Sequence, residues 1–169
     1  LMHTYGMDKA AAGSVLNMIA VGMILGSPFL SYFSNRVVKS RKKTLIISTS
    51  ALVCLMLFLN FFNRGLPEVF LYLFIFLFSV TSSAIVVIGF TTTKELFPVE
   101  IAGTSVGTIN LFPFLGGAIF QPVMGRILDS YAKTASGAYP PEAYSAMILA
   151  LVAAAVFALL ATFFVKETI

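Results

Sequence analysis

"AGSVLNMIAVGMILGSPFLSYFSNRVVKSRKKTLIISTSALVCLMLFLNFF", residues 12–62, sets a long apolar stretch on either side of a basic run. Between Ser34 and Lys43 the chain carries Arg36, Lys39, Arg41, Lys42 and Lys43 and no acidic side chain. Each apolar flank is close to the roughly 20 residues that a helix needs to cross a hydrocarbon core. A basic run can hold a nucleic acid, cover a soluble face or mark one side of a membrane. Composition decides among these.

The chain is 59% hydrophobic and only 11% charged, with a mean hydropathy of +0.96. A soluble domain carries about a quarter charged residues, so this chain could not cover its own surface with polar groups, and lipid is its expected solvent. A net charge of +4 would suggest nucleic acid in a soluble protein. Here the cations lie beside apolar segments, so they report membrane topology and no nucleic-acid partner is expected. Cys54 is the only cysteine and His3 the only histidine. This leaves no internal disulfide, no cysteine-based metal site and no histidine-based catalytic pair, and neither a metal nor a cofactor is expected. No signal peptide with a basic start precedes the first apolar run, and the chain reads as a piece of a longer one.

Five segments are long and apolar enough to span, at about 12–33, 44–62, 69–90, 102–127 and 143–165. Backbone polar groups in lipid must be satisfied within a helix or a closed barrel. The period-2 alternation of a barrel is absent. The expected fold is an all-α integral membrane protein, a polytopic bundle of five transmembrane helices. The connections are read at 63–68, at "TTTKELFPVE" (91–100) and at 129–144. One side then collects Arg36, Lys39, Arg41, Lys42, Lys43, Lys94 and Lys166, and the other Lys9, Arg64, Arg126 and Lys133. The positive-inside rule puts the richer side in the cytoplasm, with the N-terminus external and the C-terminal "VKETI" internal. The expected location is a bacterial inner membrane.

Small residues four apart let helices approach closely, as at Gly22 and Gly26 in the first span and Gly103 and Gly107 in the fourth. The fourth span adds Pro113, Pro122, Gly116, Gly117 and Gly125. Each proline frees the carbonyl four residues back, which suggests a helix that packs tightly and flexes. Its Asn110 and Gln121 either contact a solute or bond freed carbonyls and neighbouring helices. In the third span Tyr72, Ser79, Ser83 and Val86 share one face, with Ser82 beside it. These hydroxyls either bond a polar solute or serve as small packing residues that bond their own helix. Asn17 in the first span is open to the same two readings. The basic run could also latch against a neighbouring helix, or anchor to anionic headgroups.

These pieces together resemble the major facilitator superfamily of secondary transporters. That family's loop signature reads roughly G-x-L-[SA]-D-R-x-x-x-R-[RK]. "GSPFLSYFSNRVVKSRKK" is similar to its second-half copy through Gly26, Arg36, Arg41 and Lys42, and departs from it at Ser31 and at Asn35, where the family has aspartate. "ELFPVEIAGTSVGTINLFPFLGGAIFQPVMGRILD" is similar to the family's loop and eleventh helix. The resemblance implies a C-terminal bundle of helices eight to twelve that lacks its first helix. It also implies a missing N-terminal half in the same polypeptide, and a third span facing the substrate.

The function so implied is transport of a small solute by alternating access around a midplane site. Candidate solute contacts are Tyr72, Ser79, Ser82, Ser83, Asn110 and Gln121. No intramembrane carboxylate is present to couple protons, so a coupling residue would lie in the missing half. The first rival is a structural or assembly protein packed by its glycine-rich helices. The second is a membrane enzyme built on Glu95 and Glu100, two carboxylates that more often serve as solvated or capping groups.

Overall fold

The computed structural model describes residues 2–62, 66–134 and 137–169. Arg64 and Gly65, part of the turn read at 63–68, lie outside the described residues. A short helix α1 (Met2–Tyr5) is followed by α2 (Lys9–Tyr32), α3 (Arg41–Phe61), α4 (Glu68–Leu96), α5 (Val99–Asp129) and α6 (Pro141–Thr162). No strand occurs among the described residues. The five long helices are each long and apolar enough to cross a membrane. The protein is therefore an all-helical membrane bundle.

Local chemistry sets the helix starts. Asp8 caps α2 by accepting the Ala11 N–H at 2.7 Å, and Ser40 caps α3 by accepting the Lys43 N–H at 3.0 Å. Pro67, Pro98 and Pro140 stand at the entries of α4, α5 and α6, where a missing donor costs nothing. α2 does not stop at Tyr32. It continues as a π-helical turn, Phe33–Val38, that ends on Lys39 in the left-handed conformation at φ 49°. A non-glycine residue there costs about 1–2 kcal/mol, so the tight basic turn is held by its surroundings.

"TTTKEL" belongs to α4 and not to a connection. Thr91 and Thr93 return their hydroxyls to the carbonyls of Val87 and Gly89, both at 2.8 Å, so the helix runs through the polar stretch. At the other extreme the fifth span ends early. α6 stops at Thr162, and Phe163–Ile169 form a non-helical tail.

α4 lies between α2 and α3 and also touches α5, while α6 packs on α3 and α5. The main apolar core joins Leu52, Val53 and Met56 of α3 to Ile148, Val152 and Ala155 of α6. α5 is one uninterrupted helix through Pro113 and Pro122, and none of its residues is buried. At 1.5 Å per residue it is about 46 Å long, against a hydrocarbon thickness of about 30 Å, so it must tilt or project.

Candidate functional site

The predicted polar face of α4 meets the small-residue groove of α2. Ser79 is buried and donates to the Ile19 carbonyl at 2.6 Å. A Cβ at Gly22 would lie 2.6 Å from Ser79 Cβ and 2.8 Å from the Phe76 carbonyl oxygen. At Gly26 it would lie 3.0 Å from Val80 Cα and 3.3 Å from Ser83 Oγ. The two glycines of α2 are thus the sockets into which α4 sets Ser79, Val80 and Ser83. Ser83 is buried and returns its hydroxyl to the Val80 carbonyl at 2.8 Å. Tyr72 is half-buried and its hydroxyl bonds Ser14 at 2.6 Å. Ser82, beside this seam, donates to the Ser79 carbonyl at 3.1 Å.

α5 presents a different surface. Asn110 and Gln121 are exposed, as are Pro113 and Pro122. A Cβ added at Gly103, Gly107, Gly116, Gly117 or Gly125 would meet nothing within 4 Å. The small residues of this helix therefore leave open room. Asn17 of α2 is exposed as well.

The basic turn is organised around one arginine. Arg41 is buried, and its guanidinium grips Glu95 in two places, Nη2 to Oε1 at 2.7 Å and Nε to Oε2 at 3.2 Å. Its Nη1 donates to Ser34 Oγ at 3.2 Å. A bidentate fork of this kind is the stronger form of ion pair. Asn35, at the position where the loop signature has aspartate, instead donates to Ser31 at 3.4 Å. The carboxylate that Arg41 needs comes from the last turn of α4.

The tail after α6 closes the same cluster. Glu167 accepts the Arg41 N–H at 2.8 Å and the Ser40 hydroxyl, so it neutralises the positive start of α3 from across the chain. Thr168 donates its hydroxyl to Glu95. Burial opposes ionisation of Glu167, but the bonds from Ser40 and from the N–H groups of Arg41, Thr168 and Ile169 outweigh it and hold its carboxyl below the usual range. Lys42 is half-buried, whereas Arg36, Lys39 and Lys43 are exposed.

Sequence reasoning named Arg41 but missed its partners. From sequence Glu95 reads as a solvated or capping group or, in the rival view, an enzyme carboxylate, and Glu167 as part of the terminal segment. The signal available was positional: "KEL" closes α4 and "VKET" follows α6, both at the basic end.

The opposite end has no cationic excess among the described residues. Its described cations Lys9, Arg126 and Lys133 accompany Asp8, Glu68, Asp129 and Glu142. Lys133 lies 5.0 Å over the Tyr139 ring, whose hydroxyl donates to Asp129. A cavity of about 360 Å³ opens between α3, α4 and α6, with Tyr5, Met56, Phe74, Phe78, Tyr144 and Ile148 among its walls. No three His, Cys, Asp or Glu side chains among the described residues are grouped to hold a metal.

Five apolar crossing helices, a glycine-socketed seam and an ionic cluster at one end define a polytopic integral membrane protein. The Major Facilitator Superfamily model matches residues 1–168, and the chain belongs to that superfamily, whose members are transporters. No curated protein and no solved structure matches the chain.

Proposed function

We propose that the chain is part of a secondary active transporter that moves a small solute by alternating access, with the other half of the cavity supplied by an N-terminal bundle of the same polypeptide. The observation that carries this reading is α5. A helix of 31 residues with two prolines, five glycines, Asn110 and Gln121, and no buried residue is poorly used in this bundle alone. It suits one wall of an aqueous path that a second bundle completes. Flexure at Pro113 and Pro122 would let that wall rock, because their freed carbonyls need other partners.

In this reading Asn110 and Gln121 contact the solute directly, with Ser82 next in reach. Tyr72, Ser79 and Ser83 are reached only where α2 and α4 part, since their hydroxyls are spent on Ser14, Ile19 and Val80. The Arg41–Glu95–Glu167 cluster is the inner latch, and the net positive end faces the cytoplasm, leaving the N-terminus outside. The bacterial inner membrane is the setting. The packed Ser79 seam also favours a scaffold role for that one face.

The test is solute uptake by the complete polypeptide in proteoliposomes. Asn110→Ala and Gln121→Ala should each lower uptake by up to about tenfold, the size expected when one hydrogen bond to the solute is lost. Uptake unchanged in both, with the protein folded, would remove α5 from the solute path.

A further inference from the structure

We infer that the groove between α2 and α4, together with the basic turn at its end, is a docking surface for one anionic phospholipid. This goes beyond the transport reading and does not rest on it, because it needs only the basic end to lie at a membrane surface.

The groove has a volume of about 340 Å³ and is lined by Leu25, Gly26 and Phe29 of α2 and by Phe76, Leu77 and Val80 of α4. Its floor is set by Gly26, where the helices come so close that a Cβ would lie 3.1 Å from Val80 Cγ2. Leu25, Phe29 and Tyr32 recur at helical spacing and form one stripe along α2, and Arg36 follows in the π-helical turn that continues it. The three apolar members are 55%, 54% and 63% exposed. Ten residues separate Gly26 from Arg36, a rise of about 15 Å. That is half of a hydrocarbon core about 30 Å thick. An acyl chain lying over Gly26 therefore places its headgroup level with Arg36.

Charge selects the headgroup. At this end Glu95 is paired with Arg41, and Glu167 is committed to Ser40 and the start of α3. Glu100 sits in the first turn of α5. Arg36, Lys39 and Lys43 stay exposed with no carboxylate of their own. A zwitterionic headgroup brings its own cation to this surface, whereas an anionic one brings none. Each basic side chain at such a surface strengthens anionic-lipid binding by about fivefold.

The experiment measures lipid retained by the purified complete polypeptide in nanodiscs holding equal phosphatidylglycerol and phosphatidylcholine, by native mass spectrometry. Phosphatidylglycerol should be retained over phosphatidylcholine. Arg36→Gln and Lys39→Gln should each cut that retention about fivefold, whereas Arg36→Lys and Lys133→Gln at the other end should preserve it. Leu77→Trp, which fills the groove without changing charge, should cut it as well, with helix content unchanged by circular dichroism. Equal retention of the two lipids would overturn the inference. So would indifference to Arg36→Gln, and so would full displacement by inorganic phosphate, which would indicate a site for free anions.

Discussion

Gly22→Ala is the smallest change that probes how the bundle is held. The added methyl would lie 2.6 Å from Ser79 Cβ and 2.8 Å from the Phe76 carbonyl oxygen, where carbon contacts favour 3.5–4.0 Å. One neighbour is backbone, so a rotamer change cannot relieve the clash, and α2 and α4 must separate by about 1 Å. Overpacking of this kind costs typically 1–3 kcal/mol. The Ser79 bond to Ile19, at 2.6 Å, stretches with it and adds about 0.5–1.5 kcal/mol. Against this, alanine gains about 0.8–1 kcal/mol of helix propensity over glycine. The net expectation is a loss of about 1–3 kcal/mol. Gly103→Ala on α5 meets nothing within 4 Å, so only the propensity gain remains and the protein should be unchanged or slightly more stable. Thermal or denaturant unfolding in mild detergent, followed by circular dichroism, reads both variants. Adding Ser79→Gly to Gly22→Ala should restore part of the loss, since it removes the serine contact but not the carbonyl. If Gly22→Ala unfolds at the wild-type midpoint, or if Gly103→Ala is the worse of the two, the socket argument is wrong.

The ionic end makes two further predictions. Glu95→Gln leaves Arg41, whose side chain is only 6% exposed, without its countercharge; the expected cost is about 3 kcal/mol, the low end of the range because Glu95 itself stays partly wet. Arg41→Met combined with Glu95→Leu should cost much less than Glu95→Gln alone, and an equal loss in the same unfolding assay would count against the pair as the source. Glu167 has a lowered folded-state pKa, so its contribution is present above the ordinary carboxylate value and is lost as pH falls through the depressed one. The protection of the Arg41 and Thr168 amides, whose N–H groups donate to Glu167, should therefore be high at pH 7 and fall as pH drops through that depressed value, measured as exchange relative to the intrinsic rate at each pH. In Glu167→Gln the protection should be low throughout.

The five helices and the basic turn were legible because hydropathy and charge act locally. A run of about twenty apolar residues has few alternatives in lipid, and each expected span falls on one observed helix. Helix ends were harder. Sequence polarity suggested that α4 stops before Thr91, but hydroxyls bonding back to their own helix carry it to Leu96. That extension is what delivers Glu95 to Arg41. The partners of Arg41 lie 54 and 126 residues away in sequence, and no local spacing encodes such a meeting. The serine face of α4 and the glycine pair of α2 were each visible by periodicity. Periodicity says which residues share a face, not what covers it, so their mutual fit emerged only in three dimensions. On α5 the same small-residue pattern has no partner in this bundle.

The central claim is that α5 lines a path opened alternately to the two sides of a membrane. Cys54 is the only cysteine of these 169 residues, so replacing it and any cysteine of the N-terminal half by serine gives a background in which Asn110→Cys can be labelled alone. In the complete polypeptide in sided vesicles, a membrane-impermeant maleimide should reach position 110 from one side at a time, and Glu95→Gln should shift the balance toward the outer-closed form. Labelling from neither side, or an unchanged balance with the Arg41 latch broken, would contradict it.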